Sequence, residues 1–499
     1  MKYYVFSILL IASTIAQDIF DGYTLFTPQS GGGGGGGGNN VRTRLLDNDF
    51  NEVHDWSHSR GPASMAYLVS GDTYGFDGYG FENSILVYPY RVSNPTMESG
   101  GVGGGVEMYN WEGVLLWSFE LSDNNYQHHH DIQVLPNGNI LMVAWERFYE
   151  SSWSDWGRTD VNNTLNQMWG TAILEIQPNL ENGTHEIVWE WHITDHLVQD
   201  RGPQYSATYG NIADHPELMD VNCGNVGSQG PGGANADWMH INAIDYNAEL
   251  DQIALSSRFQ SEIYIIDHST TTEEAASHTG GNSGMGGDFL YRWGNPQNYD
   301  RGTNSDKQLD DQHSINWIDI GSPGEGNLIL FNNNHGTNAS AGLELIPPLL
   351  ENGTYDITDS DPYGPEEEEW LYYPGPGSGF HTSVQGGAFR LPNGNTLLTD
   401  ADDTEIREVT YNGIIVWEYD YPGNNNALIA RADKYGIDYF DQQSITGDLN
   451  YDDIINVLDV IILVNMAIGN TEADLNGDMN SDGGINILDV VILVGVILD

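Results

Sequence analysis

The sequence predicts an all-β domain of radially stacked four-stranded sheets, a β-propeller, followed by a small α-helical module carrying two calcium loops. Three observations lead there. One cassette, an Asn-Gly or Glu-Gly turn followed by an apolar strand, returns as LPNGNILMVAWE from Leu135, EGNLILFNNNHG from Glu325 and LPNGNTLLTDADD from Leu391. A second cassette places an aromatic strand after a turn: WEGVLLWSFEL from Trp111, ENGTHEIVWEWHI from Glu181 and YNGIIVWEYDYPG from Tyr411. The third is a pair of acidic-loop-plus-helix units at the C-terminus, from Gly447 and Gly477. Short strands with frequent turns, almost no helical periodicity and a long repeat are the pattern of propeller blades; six blades of about 60–70 residues account for the length.

Taken in order, residues 1–16 read as a secretory signal: a basic start, a short apolar run, and small residues at Thr14 and Ala16 before Gln17. The apolar run is too short to span a bilayer. Residues 17–40 are a glycine-rich segment in which Gly31 to Gly38 form a flexible spacer; no Lys-Ser/Thr follows to make a phosphate cradle. The propeller is expected over 41–440 and the helical module over 445–499.

In the second C-terminal loop, Asp478, Asn480, Asp482, the Gly484 carbonyl, Asn486 and Asp489 fall at calcium-loop positions 1, 3, 5, 7, 9 and 12, with Gly483 at the turn. In the first, Asp448, Asn450, Asp452, Asn456 and Asp459 match, while Asp453 replaces the turn glycine. Oxygen donors at this spacing suit Ca2+. The apolar residues Val460, Ile461, Leu463, Val464, Val490, Val491, Leu493 and Val494 read as the core of the helix pair, with part of them available to a partner.

The chain has 72 acidic against 16 basic residues and a formal charge of -56. Such a charge repels nucleic acid and anionic membrane surfaces. Cys223 is the only cysteine, so no disulfide forms within one chain, and its neighbours Asn222, Gly224 and Asn225 supply no base for a catalytic thiol.

Histidine recurs at expected inner-strand edges: His128, His129 and His130 before Asp131, then His240, His313, His335 and His381. Their common context points them at one central channel. The alternative is a set of partly buried histidines bonded to backbone at the hub. Simple alternation along a strand puts His128 and His130 on one face and His129 on the other. The pair could position an aromatic substrate, hydrogen-bond Asp131, or hold a transition metal with His240 or His313.

Several consecutive words, DWMHINAIDYNAELDQIALSSRFQSEIYIIDHST, WGNP at Trp293, QHSINWI with GNLILFNNN, and GAFRLPNGNTLL with IREVTYNGIIVWEY, resemble the arylsulfotransferase family over about Asn40 to Tyr439. That resemblance implies an exported six-bladed propeller moving sulfate between phenols through a sulfohistidine, independent of the nucleotide sulfate donor. Carried onto this chain, it implies His381 as nucleophile, His240 and His313 as oxyanion stabilisers or proton-transfer groups, and Arg258 as a sulfuryl clamp. Where relatives tend to carry an arginine after the GNLILFNNN strand, this chain has Asn334 and His335. The paired C-terminal loops resemble dockerin type I modules, which implies a cohesin-type scaffold partner.

The expectation is therefore a secreted, periplasmic or cell-surface aryl-sulfate sulfotransferase. It would need calcium in the C-terminal loops and no nucleotide cofactor, and would act on phenolic sulfate esters and phenols. Two rivals remain: a non-catalytic propeller binding a sulfated or anionic ligand, and a metal-dependent hydrolase or lyase.

Overall fold

The computed structural model describes residues 18–30, 41–76, 78–227, 234–358, 360–422, 427–441, 447, 449, 455–469, 471, 475–480 and 484–498. The expected signal peptide, the Gly31–Gly38 spacer, and Asp448, Asn450, Asp452, Asp453, Asp482 and Gly483 lie outside these residues. The chain divides into two compact units, residues 1–78 with 83–437, and 79–82 with 438–499.

The larger unit is a six-bladed propeller of four-stranded antiparallel sheets. Blade 1 opens with Tyr67–Ser70, blade 2 with Tyr126–Val134, blade 3 with Ile241–Asn247, blade 4 with His313–Trp317 and blade 5 with Gly387–Arg390. Blade 6 is composite: the last strand, Ala427–Gly436, pairs with Gly22–Ser30, which continues into Val41–Leu46 and Glu52–His58. Both ends of the propeller chain are thus locked into one sheet. A three-stranded parallel sheet, Leu197–Gln199, Thr208–Tyr209 and Met219–Asp220, is inserted between blades 2 and 3.

The repeated words have physical reasons. The second asparagine of the turn cassette reaches a glutamate on the third strand of its own blade: Asn139 to Glu175 at 2.5 Å, Asn327 to Glu344 at 2.6 Å, Asn395 to Glu408 at 2.5 Å. Each of these buried carboxylates also meets a cation or imidazole from the next blade: His268 at 3.0 Å, Arg390 at 2.5 Å and Lys434 at 2.8 Å. A carboxylate taken out of water needs such partners.

The aromatic cassettes supply a ring of indole donors. Trp56, Trp117, Trp189, Trp293, Trp370 and Trp417, one on the outer strand of each blade, donate Nε1–H to Asn110 O, Thr184 O, Thr270 Oγ1, Pro365 O, Tyr411 O and Asn48 O. Each acceptor belongs to the following blade, and Trp417 of blade 5 closes the circle on blade 6. A large apolar side chain with one donor suits this place, because it fills the gap between blades while its N–H finds a carbonyl or hydroxyl.

In the smaller unit, helices Val457–Ala467 and Ile487–Leu498 bury Leu463, Val490 and Leu493 around Leu449. The apolar set expected to form that core divides. Val460 packs against it in part, whereas Ile461, Val464, Val491 and Val494 are exposed. Helical periodicity cannot direct so many consecutive apolar residues to one side. No helix among the described residues is long and apolar enough to cross a membrane.

Candidate functional site at the propeller hub

The first strands of the blades meet at the hub, and four of them begin irregularly. His130, His240, Ser314 and Gln385 have φ of 53°, 54°, 60° and 58°, in the left-handed region. The pairing register slips between His128 and Ile132, between Ile241 and Ala243, and between His313 and Asn316. Such bulges re-aim side chains. They also overturn the alternation expected for the triple histidine: His129 and His130 bring their Nδ1 atoms to 2.9 Å of each other, so adjacent residues share one locality.

His130 meets His240 edge-to-face, with ring centroids 4.6 Å apart. Asp237 holds His240 Nδ1 at 2.5 Å and also accepts the His240 backbone N–H at 3.1 Å, while Phe259 stacks on the ring. A carboxylate taking the Nδ1 proton leaves Nε2 as the basic nitrogen. His313 is fixed from both sides. Its Nε2 accepts the Gln385 backbone N–H at 3.2 Å, so the proton sits on Nδ1 and goes to Asn333 Oδ1 at 2.7 Å. Arg258 lies close enough for its charge to depress the protonation of His313, donates to Asp311 Oδ2 at 2.9 Å, and reaches the Ser383 carbonyl at 3.3 Å. Asn334 donates to the same Asp311 oxygen at 3.2 Å.

His381 stands at the edge of this group. Its backbone N–H donates to Asp400 Oδ2 at 2.9 Å, and the residue is partly exposed, whereas His240 and His313 are each 3% exposed. The next residue, Thr382, gives its carbonyl to Asn333, which ties the His381 segment to the side chain that orients His313. His128 and His335 are not gathered in. His128 is fully buried, with Nδ1 accepting the Gly104 N–H at 3.1 Å. His335 packs edge-on to Tyr373. The residue of the FNNNH segment that touches a candidate histidine is Asn333, one place before the pair singled out from sequence.

Beneath the histidines lies an ion pair that sequence reasoning missed. Arg431 of blade 6 bonds Asp131 of blade 2 at 2.6 Å and Ser64 at 2.8 Å, and Asp131 also accepts from Tyr67 Oη at 2.7 Å and from the Ile244 backbone N–H at 3.3 Å. Asp131 thus serves Arg431, not the histidines preceding it. The pair gathers blades 1, 2, 3 and 6 around one buried carboxylate.

Also missed was the glycine run Gly100–Gly105. A Cβ on Gly101 would come within 1.9 Å of the His130 ring, and one on Gly103 within 2.5 Å of His128 Nδ1. Gly101 also has φ of 72°. Gly101→Ala is expected to combine left-handed strain of about 1 kcal/mol with overpacking of about 1–3 kcal/mol, displacing His130. A lowered thermal midpoint, together with a shifted His130 resonance, checks this.

Burial governs the charge state of the hub. Loss of hydration pushes His128 down to about 3 and holds His129, His130 and His313 well below the ordinary imidazole range; His58 is likewise pushed down to about 3. The unfolded chain takes up protons below about pH 6.5 that these five folded imidazoles refuse, so their contribution to stability is lost as pH falls through that value. Burial raises Asp245 to about 7 and Asp400 and Asp433 to about 6, and this contribution runs oppositely, being lost as pH rises through those values. Burial raises Asp195, Asp220 and Asp319 as well, so the imidazole and carboxylate contributions oppose each other across the same acid range.

Cys223 is buried, donates to Gln260 Oε1, and burial pushes its thiol up, away from nucleophilic use. A depression of about 390 Å³ lies between the turns of blades 1 and 2, lined by Thr73, Tyr74, Asn137 and His185 among others. It holds none of the hub histidines, so the site chemistry is not there.

The hub therefore offers neutral imidazoles in fixed tautomers, a guanidinium, and one more accessible histidine. Residues 100–345 match the arylsulfotransferase (ASST) family. The arylsulfotransferase match takes in the glycine run, the triple histidine, His240, Arg258, His313 and Asn333, while His381 and Arg431 lie C-terminal to it. The match supports an aryl sulfotransferase type of function, and the family implies phenolic substrates. No curated protein matches the chain. Among solved structures, a protein of unknown function from Bacteroides caccae is 11% identical, with 83% of this chain and 98% of that one covered and a TM-score of 0.41. A putative 6-phosphogluconolactonase from Bacteroides fragilis is 12% identical, at 83% and 98% coverage and a TM-score of 0.37. Apo AztD from Citrobacter koseri is 9% identical, at 83% and 99% coverage and a TM-score of 0.32. At these values the likenesses carry no argument.

Proposed function

We propose that the protein is an exported aryl-sulfate sulfotransferase that works without a nucleotide donor, through a sulfohistidine on His381. The observation that carries this is the convergence of Arg258, His313 and its partner Asn333 on the segment bearing His381. His381 is the nucleophile because the residue is partly exposed, whereas both ring nitrogens of His313 and the Nδ1 of His240 are engaged. Its lone pair attacks sulfur, the S–O bond to the donor phenol breaks, and the phenolate leaves with the electron pair of that bond. In the second half, His240 Nε2, the nitrogen left bare by the Nδ1–Asp237 hydrogen bond, takes the proton of the acceptor phenol, whose oxygen attacks the N-bound sulfuryl group and frees His381. Arg258 offers positive charge to the sulfuryl oxygens.

The C-terminal unit is a dockerin-like tether to a cohesin-type partner on a scaffold or cell surface. Its residues fit Ca2+: Asp459 and Asp489 at the last loop position are buried, Asp478 is nearly so, and Asp489 Oδ1 has no hydrogen-bond partner among the described residues. Asp489→Ala is expected to abolish the calcium-induced gain in helicity of that loop, as circular dichroism during a calcium titration would show. The exposed apolar residues Ile461, Val464, Val491 and Val494 suit a partner surface.

A second reading, a propeller that binds an anionic ligand without turnover, is favoured by one observation. Asn334 and His335 stand where relatives tend to have arginine, and Arg258 is already paired with Asp311. The deciding experiment follows 4-nitrophenyl sulfate and a second phenol with no nucleotide present. Nitrophenolate release matched by new ester supports the transferase; release without ester indicates a sulfatase; neither supports the binding protein.

A further inference from the structure

Interleaved in sequence with the hub histidines, three other groups converge at the join of blades 2 and 3. His196 follows the outer strand of blade 2, while His278 and Asp288 lie in the loop between the third and fourth strands of blade 3. His196 Nδ1 is 2.7 Å and His278 Nδ1 2.8 Å from the same oxygen, Asp288 Oδ1, and the three donor atoms all lie within 4.8 Å of one another.

The His196 ring is fully buried and held on every side. Trp191 lies parallel to it at 5.5 Å, and Trp191 Nε1 donates to the Gly287 carbonyl at 2.7 Å. A Cβ on Gly287 would come within 2.7 Å of His196 Nε2 and 2.1 Å of the Ala275 carbonyl, so only glycine lets the chain pass immediately before Asp288. The decisive contact is His196 Nε2 to the Ala275 carbonyl at 2.8 Å. A carbonyl only accepts, so Nε2 carries the proton, and the neutral ring then presents a bare lone pair at Nδ1. Facing a carboxylate oxygen at 2.7 Å, that lone pair requires a cation between the two.

A proton meets that need with His196 alone. A divalent metal meets it and also recruits the second imidazole, His278, as a ligand, where a proton between His196 and Asp288 leaves it a hydrogen-bond donor to the same oxygen. An imidazole whose far nitrogen donates to a backbone carbonyl is the arrangement that orients metal-bound histidines. Two nitrogens and one carboxylate oxygen suit a borderline ion such as Zn2+, and not Ca2+ or Mg2+. Bond lengths of about 2.0–2.2 Å in a tetrahedral site imply donor separations of about 3.3–3.6 Å, so Asp288 draws back by about half an ångström or more to admit the ion. His278 is 49% exposed in its side chain, which leaves a way in from solvent and room for water as a further ligand.

We propose that His196, His278 and Asp288 form a zinc-type divalent metal site that clamps the end of blade 2 to the long loop of blade 3. The site is structural and independent of the hub chemistry.

The test uses the full-length chain at neutral pH with calcium in excess, titrated with Co2+ and followed by visible absorption. The expected result is one Co2+ per chain, with ligand-field bands of a nitrogen and oxygen site. Zn2+ displaces it and raises the thermal midpoint. His278→Ala, a partly exposed change that leaves the fold intact, weakens binding by more than about 10-fold, and Asp288→Asn does the same. His130→Ala, at the hub, leaves the titration unchanged. The proposal is overturned if His278→Ala binds Co2+ as the parent does, if His130→Ala abolishes binding instead, or if the parent takes up neither ion.

Discussion

His381→Ala is expected to abolish transfer of sulfate from 4-nitrophenyl sulfate to a phenol, with a fall of about 10³-fold or more, while the thermal midpoint stays nearly unchanged. The size follows from removing the nucleophile from a covalent route. The stability should hold because the residue is partly exposed and its hydrogen bond to Asp400 comes from the backbone N–H and survives the substitution. His240→Ala should show a different signature. Donor cleavage in a single-turnover burst persists, but transfer to the acceptor slows by about 10²–10⁴-fold, because the Asp237-backed base serves the second half-reaction. Undiminished turnover in His381→Ala with full ester formation would remove this residue from the mechanism.

Arg431→Met is the substitution with the largest expected effect on stability, about 3–5 kcal/mol. Arg431 and Asp131 are 4% and 0% exposed in their side chains, so the substitution leaves a buried carboxylate without its guanidinium. Asp131 would keep Tyr67 and the Ile244 amide as donors, but no counter-charge. The double change Asp131→Leu with Arg431→Met should recover much of the loss, since two apolar groups of similar bulk remove the uncompensated charge along with its partner. Denaturant midpoints of the two single variants and the double variant form the cycle that checks it. Additive losses would show that the two side chains act separately.

The repeats were legible in the sequence because they answer to local demands. The glycine of each Leu-Pro-Asn-Gly-Asn turn takes a left-handed φ, 82° at Gly138 and 85° at Gly394, and the following asparagine must satisfy a buried glutamate. The number of blades was less plain, since loops and the insert between blades 2 and 3 spread the cassettes unevenly. The six indole donors provide the count, and only three of those tryptophans fall in the cassettes that drew attention. At the site, residue types were readable and directions were not. Alternation separates His129 from His130, yet a bulge at His130 rejoins them, and nothing local to the triple histidine announces it. Asn333 was passed over for Asn334 for the same reason, because a shift of one residue on a strand changes its face. Asp237, three residues before His240, carried a signal that could have been used: a carboxylate at that short spacing before a histidine is a ready orienter. Arg431 carried none, since its partner is 300 residues away in sequence.

The composite blade also sets a condition on how the protein is made. The strand that delivers Arg431 is the last of the propeller to leave the ribosome, and until it docks, the edge of Gly22–Ser30 has an open row of backbone donors and acceptors. A chain interrupted before residue 427 therefore carries a lone carboxylate at its centre and a bare strand edge at its side. Such a product is a target for degradation or self-association, so translation to the final strand acts as a proofreading step that admits only complete propellers.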